Sequence, residues 1–373
     1  MSNPNPLPSA HQIGILGDAH GNLGDVLDAA RALEMRGIQA IVQLGDLGIP
    51  HPGEGWARPL DRLNSRLEKA GQTIYFVDGH HEWFDKLYEF PIGDDNLRWL
   101  RPHIAHLPRG YRGRLASGHS FATLGGAGSI DYFTRTEGET VWSEEVITDE
   151  DLDWLGFEPV DVLFGHDAPT WTPGLTDLTK VRYEGESDEA ISYVERARQI
   201  FTTGFLQVAP KLYIGSHFQH HVDQVAGFWG ESSFACRVVL LDQLPNHETE
   251  TVAILDTDTL HLTFATTKGM DRPTGARQIT NLATQAAGQW RVHTLTSQHV
   301  FDFDAGTVTR LPQFRTVPVA ERQPMSLGTI EDATIGRPGR WTVKIADPRR
   351  LSMRCFASVI TYIEPVEPAS AGA

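Results

Sequence analysis

The stretch Ile13-Gly14-Ile15-Leu16-Gly17-Asp18-Ala19-His20-Gly21-Asn22 decides the fold. A short apolar run that ends in Gly-Asp reads as a strand opening into a polar turn. Beyond it, Leu23, Val26, Leu27, Ala30 and Leu33 recur at helical spacing, and Gly37 is a C-terminal stop. Ile38 to Leu44 is the next strand, ending in Gly45-Asp46. A second amphipathic helix is expected over Trp56 to Ala70, stopped by Gly71. Thr73 to Val77 is a third strand and runs into Asp78-Gly79-His80-His81-Glu82. The order β-α-β-α-β predicts parallel strands joined by helical crossovers, an α/β fold.

Working outward, Ser120–Leu124, Asp161–Phe164, Lys211–Ile214 and Phe234–Leu241 are expected as further strands. Ser187 to Thr202 reads as a long helix, with Ser187 as N-cap and Asp188 and Glu189 suited to the positive end of its dipole. Thr251–Leu255 and Leu260–Phe264, split by Asp256-Thr257-Asp258, predict a hairpin. The first domain is expected over residues 1–266 and a linker over 267–288. A small all-β module of unassigned role follows over 289–366, and a loose tail over 367–373. Strand candidates in the module are Trp290–Thr296, His299–Phe303, Thr307–Leu311, Trp341–Ile345 and Cys355–Ile363, with Asp304-Ala305-Gly306 as a hairpin turn.

Composition bounds the function. The 373 residues carry 32 Lys plus Arg against 48 Asp plus Glu, a net charge of −16. Apolar residues at 40% and charged residues at 21% exclude wholesale disorder. No run of about 18 apolar residues occurs, so no membrane span or membrane partner is expected. Met1 to His11 has neither a basic nor an apolar region of the secretory kind, so no leader is expected. Two distant cysteines, Cys236 and Cys355, build no disulfide framework, and a cytoplasmic location is expected. The acidic balance disfavours non-specific grip on nucleic acid, which needs many cations against phosphates.

The chemistry-bearing residues fall just after strands: Asp18 and His20, Asp46, His80-His81-Glu82, His166 and His217. In an open parallel sheet such ends line one edge, where ligands bind. Carboxylates and imidazoles together suit divalent Mn, Fe or Zn. Gly-Asp at a turn is usually only a turn, and a single histidine is usually structural, but an ordered set after successive strands is another matter. Gly125-Gly126 is followed by no Gly-Lys-Ser/Thr, no serine sits in a nucleophile elbow, and neither cysteine lies near a motif histidine. Covalent catalysis is therefore disfavoured.

The set Gly17-Asp18-Ala19-His20, Gly45-Asp46, Gly79-His80-His81-Glu82, Gly165-His166 and Ser216-His217-Phe218-Gln219 resembles the calcineurin-like metallophosphoesterase superfamily. That superfamily's signature is Asp-x-His, Gly-Asp, Gly-Asn-His-Glu/Asp, Gly-His and Gly-His-x-His. The likeness covers roughly residues 12–266. It implies a four-layer α-β-β-α sandwich and two divalent transition-metal ions. Asp18 and His20 would hold the first ion and Asp46 would bridge; Asp46, His80, His166 and His217 would hold the second. His81 would protonate the leaving oxygen, oriented by Glu82 or Asp46, while a metal-bridging hydroxide attacks phosphorus in line. Two departures stand out. His80 replaces the family's asparagine, and the final histidine of the pattern falls on Gln219, with His220 able to substitute through a local bulge. Arg135 is a candidate contact for a substrate phosphate. The resemblance thus implies a phosphoester hydrolase, phosphatase or phosphodiesterase. The alternative is a weakly active or non-catalytic metal-binding protein that serves as a recruitment module.

Overall fold

The first strand, β1 (Gln12–Leu16), leads to α1 (Leu23–Glu34), β2 (Ala40–Gln43), α2 (Ala57–Ala70) and β3 (Thr73–Phe76), the order read from the sequence. The strands β1, β2 and β3 are parallel neighbours. Asn22 caps α1 by accepting from the Asp25 amide, and Gly71 ends α2 in the left-handed conformation at φ 63°. This computed structural model describes residues 7, 10–48, 52–53, 55–172, 174–229, 233–245, 249–265, 281–285, 287–294, 298–311, 323–334, 337–344 and 352–366.

The chain divides into two units, residues 1–273 and 274–373. Unit one continues with α3 (Phe84–Glu89), β4 (Arg98–Arg101), β5 (Ile104–His106), β6 (Arg112–Arg114), β7 (Ser120–Leu124), α4 (Asp149–Leu155) and β8 (Val162–Gly165). It ends with α5 (Leu175–Arg182), α6 (Asp188–Val208), β9 (Leu212–Gly215), β10 (Val222–Trp229), β11 (Ser233–Leu240), β12 (Val252–Asp256) and β13 (His261–Ala265). A seven-stranded sheet has the order β13-β12-β1-β2-β3-β5-β4, and a six-stranded sheet the order β10-β11-β9-β8-β7-β6. The expected hairpin is β12–β13, paired antiparallel from Val252–Ala265 to Asp256–His261. Ser187 caps α6 as read, but the helix runs six residues past Thr202 to Val208.

Alternation along the strands sets the cores. Ile13 and Ile15 of β1, Val42 of β2 and Tyr75 of β3 share one cluster with Phe121, Phe164, Ile214 and Val239 of the six-stranded sheet. The intervening Leu16, Ile41 and Ile74 share another with Val26 and Leu33 of α1 and Leu60, Leu63 and Leu67 of α2. Leu124, Leu163 and Tyr213 pack with Leu155 of α4 and Phe201 and Phe205 of α6. Both faces of the central strands are covered, which is why they read as continuous apolar runs instead of alternating ones.

Unit two is all β. The strands β14 (Gln289–Thr294), β15 (Gln298–Asp302), β16 (Thr307–Leu311), β17 (Met325–Asp332), β18 (Pro338–Val343) and β19 (Met353–Pro365) close into a barrel. Its core includes Trp290, Val292, Phe301, Val308 and Trp341. Leu282, expected in the linker, is fully buried in that same core, and Asn281 bridges to Thr334. Residues 281–285 therefore belong with the barrel. The rest of the expected linker up to 280, and the tail 367–373, lie outside the described residues.

Candidate metal centre

Each strand end delivers its ligand-type residues to one place. Beyond β1, Asp18 is pinned by its neighbours: its amide donates to Ser216 Oγ at 3.1 Å and its Oδ1 accepts from the His217 amide at 3.2 Å. The Ser216 hydroxyl passes the contact on to the Leu241 carbonyl at 2.8 Å. Ser216 thus ties the ends of β1, β9 and β11 together, a role the sequence did not announce. Beyond β2, the Asp46 carbonyl accepts from the His20 amide at 2.8 Å. Asp46 Oδ1 accepts the amides of His80 at 2.8 Å and His81 at 2.9 Å.

That pinning turns the other carboxylate oxygen inward. Asp46 Oδ2 stands 3.2 Å from His80 Nδ1, 3.4 Å from His166 Nε2 and 3.9 Å from His20 Nδ1. Asp18 Oδ2 stands 3.7 Å from His20 Nε2. Three sets of ligand atoms lie within 4.8 Å of one another: His80, His166 and His217; His20, Asp46 and His81; Asp18, Asp46 and His166. His20, Asp46, His217 and Gln219 all have positive φ, between 45° and 62°. Non-glycine residues hold such backbone only where the surroundings over-determine it, and these cluster at functional sites.

The donor set fits divalent cations. Asp18 Oδ2, Asp46 Oδ2 and His217 Nδ1 are buried with no hydrogen-bond partner, an expensive state for a carboxylate that faces nothing positive. His166 Nδ1 donates to the Leu44 carbonyl at 2.7 Å, which leaves Nε2 aimed at Asp46. A backbone acceptor on the far nitrogen is how ligating histidines are oriented. Burial would lower the His166 pKa, yet Asp46 and Asp18 raise it to about 10. The same pair of carboxylates draws positive charge to this spot. Burial would raise Asp46, but His80 and His166 hold it well below the usual carboxylate range. His80 and His217 are pushed well below the usual histidine range by burial.

The remaining expected residues divide. His81 lies in the group with His20 and Asp46, its ring tilted 40° to that of His80 with centroids 3.9 Å apart. Arg135 Nη1 lies 3.3 Å from His81 Nδ1. A guanidinium can only donate, so Nδ1 accepts and the His81 proton sits on Nε2. Burial lowers the His81 pKa, Asp46 opposes that, and Arg135 adds to it. Glu82 is not the residue that orients His81. Its two oxygens accept the Leu47 and Gly48 amides at 2.9 and 3.1 Å, bracing the turn after Asp46. Burial and then Asp46 push its pKa up to about 8. His220 is exposed and joins none of the three groups, so the bulge that would swing it in does not form. Gln219 is exposed as well. His106 bonds the buried Asp78 carboxylate at 3.0 Å, and Arg109 bonds the same group at 2.8 Å.

A cleft beside the centre is lined by His80, His81, His217, Arg135, Arg182 and Tyr183, among others. Arg182 and Tyr183 escaped the sequence reading because they stand at the end of a helix with no motif around them.

No family model matches the chain, and no curated protein matches it. Among solved structures it is similar to TT1561 of Thermus thermophilus, at 16% identity and a TM-score of 0.39 over 69% of this chain and 98% of that one. It is also similar to a protein of the same organism described only as hypothetical, at 9% identity and a TM-score of 0.30 over 93% and 99% of the two chains.

Proposed function

We propose that this protein is a metal-dependent phosphoester hydrolase built as a four-layer α-β-β-α sandwich of the metallophosphoesterase type. The observation that carries the reading is the pair of buried carboxylate oxygens, Asp18 Oδ2 and Asp46 Oδ2, that face His20, His80 and His166 and have no hydrogen-bond partner. Two ions of the Mn, Fe or Zn kind suit the site. Asp18, His20 and Asp46 would hold one, and Asp46, His80, His166 and His217 the other. Divalent ions held there would supply the positive charge and the acidified water that phosphoester hydrolysis requires at neutral pH.

The chain's own residues do the rest. His81 is proposed to protonate the leaving oxygen from its imidazolium form, in which both ring nitrogens carry protons and Nδ1 no longer accepts from Arg135. Arg135 is itself held by Asp131, whose Oδ2 accepts from its Nε at 2.7 Å, and is proposed to meet a substrate oxygen. Glu82 keeps the turn after Asp46 rigid. We place the protein in the cytoplasm: both cysteines are free thiols. No helix among the described residues is long and apolar enough to cross a membrane.

The test is elemental analysis of the purified chain together with hydrolysis of unactivated mono- and diesters in Mn, Zn, Fe and Mg. His81→Ala should lower turnover about 10²–10⁴-fold and keep its metal. Full turnover in that variant, or a wild-type chain that takes up no divalent ion, overturns the reading.

A further inference from the structure

Two guanidiniums reach the cleft beside the centre, and among the described residues only one has a carboxylate partner. Arg135 is paired with Asp131 at 2.7 Å. Arg182, the last residue of α5, donates from Nη1 to the His217 carbonyl at 3.4 Å and has no acidic partner among the described residues. A chain of net charge −16 therefore sets an uncompensated cation at the mouth of a histidine cluster. That arrangement calls for an anion with more charge than one guanidinium neutralises.

Resting on the hydrolase reading above, we propose that Arg182, acting with Arg135, selects phosphate monoesters over diesters. A monoester presents three terminal oxygens with close to two negative charges at neutral pH, because its second pKa is about 6. A diester presents two oxygens and one charge. Arg135 has Nε on Asp131 and Nη1 on His81 and the Thr140 carbonyl, so it contributes its remaining Nη2. Arg182 has Nε and Nη2 uncommitted among the described residues. Together they match the extra oxygen and the extra charge of a monoester, and guanidinium forks suit phosphate geometry. In a diester an organic arm replaces that oxygen, and Arg182, which is exposed, finds neither the third oxygen nor the second charge to meet.

The test uses the full chain loaded with Mn. Inorganic phosphate and dimethyl phosphate are titrated calorimetrically into the wild type and Arg182→Gln. In parallel, kcat/KM is measured on para-nitrophenyl phosphate and bis(para-nitrophenyl) phosphate, which share a leaving group. The wild type should favour the dianion in both assays. Arg182→Gln should reduce that preference about tenfold or more, at wild-type metal content, and Arg182→Lys should recover part of it. An unchanged preference in Arg182→Gln overturns the proposal, as does a wild type that favours the diester. A variant that loses its metal assigns Arg182 to support of the His217 loop and overturns it too. Preferential phosphate binding without hydrolysis of either ester would refute the hydrolase reading and leave the role of Arg182 standing.

Discussion

Asp46 shows how a single side chain can be committed in two directions. Two backbone amides hold Oδ1, so Oδ2 must face the histidines. The approach is possible only because residue 79 is glycine: a Cβ there would lie 2.0 Å from Asp46 Oδ1. Gly79→Ala should therefore lower the metal content seen by elemental analysis and destabilise the fold by about 1–3 kcal/mol in urea unfolding. Asp46→Ala should strip the metal outright while keeping the far-ultraviolet spectrum of the folded chain, since the strands around it are held by their own cores. Retention of full metal content in Asp46→Ala would remove this residue from the centre. The strand-end residues Asp18, His20, Asp46, His80, His166 and His217 were legible in sequence, because each sits directly after an apolar run. Ser216 and Arg182 were not. The Ser216 hydroxyl meets the Asp18 amide across 198 positions, and no local pattern encodes a contact of that span.

Among the elements, the loop that carries Ser129 and Asp131 is tied to α6 through a buried acid. Glu145 accepts from the Ser129 amide at 2.6 Å, the Ser129 hydroxyl at 2.7 Å and the Tyr193 hydroxyl at 2.9 Å. Burial outweighs those three donors and raises its pKa to about 7 from the ordinary 4.5. The folded carboxyl keeps its proton where the unfolded one has lost it. Its contribution to stability is therefore full below about pH 4.5 and is lost as the pH rises through about 7, by at most about 1.4 kcal/mol per unit. Urea midpoints measured at pH 5, 6 and 7 should fall more steeply in the wild type than in Glu145→Gln. Equal slopes would mean that Glu145 titrates normally. The early strands and helices were legible to within a residue or two because Gly-Asp or glycine closes each one. The strand β10 was not: Asp223, Gln224 and Gly227 interrupt its apolar residues, as an edge strand with one neighbour allows. β17 escaped for a similar reason, since Gly328 breaks it and exposed residues are interspersed with partly buried ones along it.

At the scale of the molecule, every residue of the candidate centre, from Asp18 to His217, belongs to unit one, and among the described residues its three apolar clusters end at Ala265. The barrel has a separate core, from Leu282 to Ile363. Two units, each with its own core among the described residues, should unfold as two cooperative units. A chain ended after Pro273 should then keep its secondary structure and bind divalent metal with the stoichiometry of the full chain. Calorimetry of the full chain should show two transitions, of which added Mn raises only the one that the shortened chain retains, because a ligand stabilises only the unit that binds it. A shortened chain that precipitates or takes up no metal, or a full chain that melts in one metal-sensitive step, would mean that the barrel is part of the centre's support.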